Sequence, residues 1–157
     1  VLSPSAQKVQ NALRERGFGE LRIVEMPTST RTAQEAASAV GCSVGQIVKS
    51  LVFRGAESGK PYLFLVSGAN RVDEAKVGER LGERLERAKP EWVREVSGFA
   101  IGGVPPVGHT TPMEAFIDPD LLRYGQVWAA AGTPNALFAL DPRQLVTLTR
   151  GRVMAVN

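Results

Sequence analysis

Apolar residues first recur at helical spacing between Ser5 and Arg16, where Ala6, Val9, Ala12 and Leu13 share one side and Gly17 stops the run. Leu21 to Met26 then reads as a strand, closed by Pro27. Thr32-Ala33-Gln34-Glu35 is a capping box, so a helix is predicted to start there, run to Val40 and end at Gly41. Ser43-x-x-Gln46 is a second, weaker box for a short helical turn. Branched and aromatic residues dominate Ile47–Arg54 and Pro61–Ser67, and the turn residues Glu57-Ser58-Gly59-Lys60 join the two as a hairpin. Helices are predicted from Asp73, as cap, to Leu81, and over Glu91–Val96 with Pro90 at its first position. A Gly/Pro-rich loop covers Gly98–Gly108. Ala115–Ile117 is a short strand and Asp118-Pro119 opens a helical turn through Leu122. Gln126–Ala131 and Ala136–Leu140 read as strands, Asp141-Pro142 opens a last helix, and Arg152–Val156 reads as a final strand. Hairpins mixed with helices predict an α+β fold. The expected form is one compact domain over residues 1–157, with a mixed, mostly antiparallel, barrel-like sheet flanked by helices.

Composition narrows the function classes. The 157 residues are 43% apolar and 22% charged, an ordinary globular balance. Cys42 is the sole cysteine and His109 the sole histidine. An intrachain disulfide is therefore impossible, and neither Cys-based zinc frameworks nor HExxH sites can be built. The expectation is an enzyme with no metal and no cofactor, in the cytoplasm, with no membrane segment. A net charge of +3 is weakly suited to a phosphate backbone. Arg71–Glu95 is rich in both signs and reads as solvated helix faces.

Four features carry candidate chemistry. Lys49 stands among strand-forming apolar residues; it is either a solvent-side lysine guarding a sheet edge or an ammonium lining a pocket for phosphate or carboxylate. Ile101-Gly102-Gly103-Val104-Pro105-Pro106-Val107-Gly108-His109 is either a connecting loop or a preshaped row of backbone donors for a carbonyl oxygen. Ala129-Ala130-Ala131-Gly132-Thr133-Pro134-Asn135 makes room at a strand end, for a ligand or for packing. Met26-Pro27-Thr28-Ser29-Thr30-Arg31-Thr32 is a hydroxyl-rich loop that caps a helix or presents its N-terminus to an anion. No GxSxG, Ser-His-Asp or Cys-His arrangement is available, which disfavours covalent catalysis.

In this order, the segments Thr32–Ala37, Gln46–Phe53, Ser97-Gly98-x-x-Ile101-Gly102-Gly103-Val104-Pro105-Pro106-x-Gly108, Phe116-Ile117-Asp118, Ala131-Gly132 and Leu140-x-Pro142-x-x-Leu145 resemble the YbaK/ProX family of aminoacyl-tRNA editing domains. The resemblance runs from about Thr28 to Leu148. It implies a trans-editing hydrolase that deacylates mischarged tRNA, with a prolyl-tRNA synthetase as a candidate partner. It implies that Lys49 is the functional lysine, that Gly102–Pro106 is the GxxxP loop, and that Gly132 closes the pocket. With the loop readings it gives Lys49, Gly102 and Gly103 as catalytic residues. Substrate contacts are expected from Thr28, Ser50, Val104, Pro105, Pro106, His109, Gly132, Thr133 and Asn135. Some relatives carry a hydroxyl residue just before the late glycine, where this chain has Ala130-Ala131. Alanine, 2-aminobutyrate, serine and cysteine on proline tRNA all remain candidates. The rival readings are a non-catalytic module that binds aminoacyl-adenosine or a nucleotide, and a synthetase-associated adaptor.

Overall fold

A computed structural model describes all 157 residues. The first helix, α1 (Pro4–Glu15), is capped by the Ser3 hydroxyl and buries Ala6, Val9, Gln10 and Leu13 along one face. Gln10 is polar at a core position, and its amide is used. Its Nε2 donates to the Leu21 carbonyl at 2.9 Å and its Oε1 accepts from the Ile23 amide at 3.2 Å. The side chain thus occupies backbone groups that a neighbouring strand would use. For that reason the strand expected over Leu21–Met26 shrinks to β1 (Val24–Glu25).

Helix α2 (Ala33–Val40) starts at the expected capping box, with both reciprocal hydrogen bonds formed, and ends at Gly41 in the left-handed region. After a 3-10 turn at Val44–Gln46, β2 (Ile47–Gly55) and β3 (Pro61–Ser67) form the expected hairpin, paired from Val48↔Ser67 to Arg54↔Pro61. Helix α3 (Glu74–Leu81) is capped by Asp73, and α4 (Pro90–Ser97) has Pro90 at its start. Between them lies β4 (Leu85–Arg87), which the sequence pattern gave no reason to expect. Three residues with two adjacent charges carry no readable alternation; pairing with Phe53–Gly55 of β2 makes them a strand. The remaining elements are β5 (Glu114–Ile117), a 3-10 turn at Pro119–Arg123, β6 (Val127–Ala130), β7 (Ala136–Leu140), α5 (Pro142–Thr149) and β8 (Arg152–Val153). The last strand stops well short of Val156.

The eight strands form one mixed sheet in the order β1-β7-β6-β2-β3-β5-β8, with β4 attached to β2. Four pairings are antiparallel and three parallel. The sheet is mixed and mostly antiparallel, as expected, and is not closed into a barrel. The end strands β1 and β8 have two residues each and pair only with β7 and β5, so no ladder joins the sheet's two edges. Strand β3 is buried on both faces. Leu63 and Leu65 enter a core with Val48, Ile117, Val127 and Phe138, and Tyr62, Phe64 and Val66 enter a second with Phe53, Val77 and Phe116. In the second, the Phe64 and Phe116 rings stack at 5.2 Å and Phe53 meets Phe64 edge-on at 5.6 Å. No helix is long and apolar enough to cross a membrane.

Candidate active site

One edge of β2 is divided between two strands. Ile47 and Val48 pair with β6, and Phe53–Gly55 pair with β4, so Lys49–Val52 have no neighbour on that side. Gly68 N–H donates to the Ile47 carbonyl on the hairpin side. By the alternation of an antiparallel ladder, Ser50 and Val52 therefore turn their own N–H and C=O groups toward the gap. The gap opens into a cleft of about 690 Å³, and a more apolar trough of about 400 Å³ adjoins it. Lys49, Ser50, Leu51, Arg71, Ile101 and Val104 line both. The hydroxyl of Ser50 is buried there with no hydrogen-bond partner.

The half-buried Lys49 extends to the turn after β3, where its Nζ donates to the Asn70 carbonyl. Burial lowers the lysine pKa from its usual value; the neighbouring Arg71 charge lowers it further, and Asp118 opposes both. Three cations, Arg31, Lys49 and Arg71, line the large cleft together with no acidic side chain. Neither arginine takes part in an ion pair. The cleft lining therefore carries positive charge with no carboxylate among its residues, as suits a phosphodiester.

The Gly/Pro loop forms the opposite wall. Gly102 has φ of 94°, a conformation that favours glycine, and a Cβ built there would lie 2.6 Å from Arg31 Cγ. The two glycines differ in chemistry. Gly103 N–H is already donated to the Ala100 carbonyl at 3.0 Å, and its own carbonyl accepts from Gly132 N–H at 2.8 Å. Gly102 and Val104 line the cleft, and their N–H groups have no protein acceptor. Prolines follow at 105 and 106 and have no N–H at all. The uncommitted N–H groups among the loop residues that line the cleft are thus those of Ile101, Gly102 and Val104.

The structure gathers four of the expected site residues, Lys49, Ser50, Gly102 and Val104, around the cleft. The others lie outside its lining. Gly103 packs on Gly132 and Thr133, with a Cβ position 3.0 Å from their backbone atoms. Pro105 and Pro106 are buried behind the loop. Thr133 Oγ1 donates to Asn135 Oδ1, and Asn135 Nδ2 donates to the Met26 carbonyl, so both tie the β6–β7 turn to the chain after β1. Thr28 borders a separate shallow depression with Ser29, Gln34 and Glu35. His109 Nε2 lies 2.6 Å from the Pro105 carbonyl, which can only accept, so Nε2 carries the proton. Burial lowers the His109 pKa; the Pro105 carbonyl opposes this, and Arg16 and Lys8 add to the lowering. His109 therefore braces its own loop. Sequence reasoning passed over Asn70 and Arg71, which join the site only through the turn after β3. The Gly68-Ala69-Asn70 run was the available signal.

The family profile for the aminoacyl-tRNA editing domain matches residues 28–148. The chain belongs to this family. The editing domain is similar throughout to a crystal structure of a candidate trans-editing enzyme for prolyl tRNA synthetase. The two are 60% identical, with a TM-score of 0.95, over 100% of this chain and 99% of that one. It is 33% identical to the Bacillus subtilis protein YwhH over 131 residues, 83% of each chain. It is 24% identical to EbsC of Enterococcus faecalis, a candidate Cys-tRNA(Pro)/Cys-tRNA(Cys) deacylase, over 80% of this chain and 77% of that one. The matched span begins at the loop before α2 and ends within α5. It thus contains every wall of the editing domain's cleft.

Proposed function

We propose that this protein hydrolyses the ester bond of mischarged proline tRNA, acting in trans to a prolyl-tRNA synthetase. The carrying observation is the cleft itself, whose lining combines a half-buried ammonium with uncommitted loop amides and no carboxylate. In this reading Lys49, with Arg31 and Arg71, holds the terminal phosphate of the tRNA. The N–H groups of Gly102 and Val104 polarise the ester carbonyl and stabilise the oxyanion that develops as water or a substrate hydroxyl attacks. An aminoacyl ester is already activated, so positioning and electrostatics suffice without a protein nucleophile. Cys42, which donates to the Ser43 carbonyl, lies outside the cleft lining and plays no part.

The relatives' names support editing for prolyl-tRNA synthetase and, in one case, cysteine on proline or cysteine tRNA; alanine, 2-aminobutyrate and serine complete the panel of small amino acids. The test is release of amino acid from proline tRNA charged with each of these, beside correctly charged proline tRNA. Faster release from at least one mischarged species, with proline spared, is expected. Tight binding of all species with release at the buffer rate would make the protein a binding module instead.

A further inference from the structure

We infer that Asn70, gripped by Asp118 and Asp120, is a positioning residue that aims the Lys49 ammonium into the cleft; the inference rests on the hydrolytic reading above. The parts come from three separate stretches of chain. Asp118 is 2% exposed and sits at the end of β5. One of its oxygens caps the following 3-10 turn through Asp120 N–H at 2.9 Å. The other accepts from Ser67 N–H at 3.1 Å and from Asn70 Nδ2 at 2.8 Å. The second proton of the Asn70 amide goes to Asp120 Oδ2 at 2.7 Å. Both donor hydrogens of Asn70 are thus held by carboxylates.

The main chain of the same residue is held as well. Asn70 N–H donates to the Ser67 carbonyl at 2.9 Å, and Gly68 N–H donates to Ile47 of β2 at 2.7 Å. What remains is the Asn70 carbonyl, and it receives the Lys49 Nζ. An ammonium has three donors. One is spent on this fixed carbonyl, and the other two stay available in the cleft. A lysine side chain loses considerable rotamer entropy when held in one geometry. The carboxylate-anchored turn fixes that geometry before substrate arrives. It also places the negative charge of Asp118 near enough to favour the charged amine against burial. Neither carboxylate lines the cleft itself, so their action runs through the lining residues Asn70 and Lys49.

A double-mutant cycle tests this on the full chain. Asn70→Ala is expected to lower kcat/KM for the best mischarged tRNA by tenfold or more. In a Lys49→Ala background the same change is expected to alter kcat/KM by less than twofold, because the group it positions is gone. Equal losses in both backgrounds would show a merely structural turn residue and overturn the inference, as would no loss in either. An activity-free readout accompanies it, namely the rate at which trinitrobenzenesulfonate modifies Lys49, located by mass spectrometry and scaled to Lys60 in the same sample. Asn70→Ala keeps the backbone carbonyl but frees the turn that carries it, so the relative rate should rise severalfold; an unchanged rate refutes the positioning role. If wild type hydrolyses none of the panel, the hydrolytic reading fails by itself and the modification rate alone judges the Asn70 anchor. Should Asn70→Ala not fold, Asn70→Ser takes its place, a turn-forming side chain too short to reach both carboxylates.

Discussion

Lys49→Ala removes a half-buried charge that lowers no contact energy in the core, because the Nζ is satisfied only by the Asn70 carbonyl. Turnover is therefore expected to fall by roughly 10²-fold or more, the scale of losing one preorganised electrostatic group. The thermal midpoint should move by only a few degrees, measured by calorimetry beside the deacylation assay. His109 makes a different prediction, on stability. Its pKa in the fold is lowered from 6.5, so the unfolded chain binds the proton more readily. The neutral ring's contribution is whole above 6.5 and is lost as pH falls through 6.5 toward the lower folded value. Wild type should lose thermal stability between about pH 7 and pH 5, and His109→Gln should flatten that slope. Glu83 acts in a separate window. Hydrogen bonds from Ser58 and Tyr62 hold its carboxyl at about 2, so its share is lost only as pH falls below 4.5.

Among the elements, the Gly/Pro loop separates catalysis from folding at adjacent positions. A methyl group at Gly102 meets the side chain of the exposed Arg31, and the positive φ adds about 1 kcal/mol of backbone strain. A methyl group at Gly103 meets the Gly132 and Thr133 backbone at 3.0 Å, where nothing flexible can yield. Gly102→Ala is thus expected to lose most deacylation while tRNA binding persists. Gly103→Ala should destabilise the fold by roughly 1–3 kcal/mol, the cost of overpacking, read from urea unfolding. The reverse assignment, with Gly103→Ala stable and inactive, would restore Gly103 as a site donor. Helix α2 gives a simpler case. Thr32→Ala breaks the capping box beside the cleft and should cost about 1 kcal/mol.

For the whole molecule, the proposed function draws on charge collected from distant segments. Arg31 precedes α2, Lys49 lies on β2 and Arg71 follows β3, and the three line one cleft without a carboxylate. Each arginine that contacts a phosphate contributes about one unit to the slope of log affinity against log salt. Arg31→Ala and Arg71→Ala should each weaken tRNA binding and reduce that slope by about one. An unchanged slope in filter binding across a salt series would remove the arginine from the phosphate contact.

Local chemistry made much of this protein legible before folding. The Thr32–Glu35 capping box, the β2–β3 hairpin, the prolines at helix starts and the Gly102–Pro106 loop are short-range features, so their residues announce them. Lys49, a charge in an apolar strand, and Gly102, a glycine in a stiff loop, stood out locally, but their residues left a structural and a pocket reading open, and the family resemblance chose between them. Tertiary structure decided the rest. Leu21–Ile23 lost its ladder to Gln10 of α1, and Leu85–Arg87 became a strand only because β2 offered a free edge. The Gly103 carbonyl was committed by Gly132 from the β6–β7 turn, and which way Lys49 points depended on Asp118, far along the chain. Backbone propensity and capping act over a few residues. A split strand edge, a committed loop carbonyl and an aimed ammonium exist only after distant segments have packed.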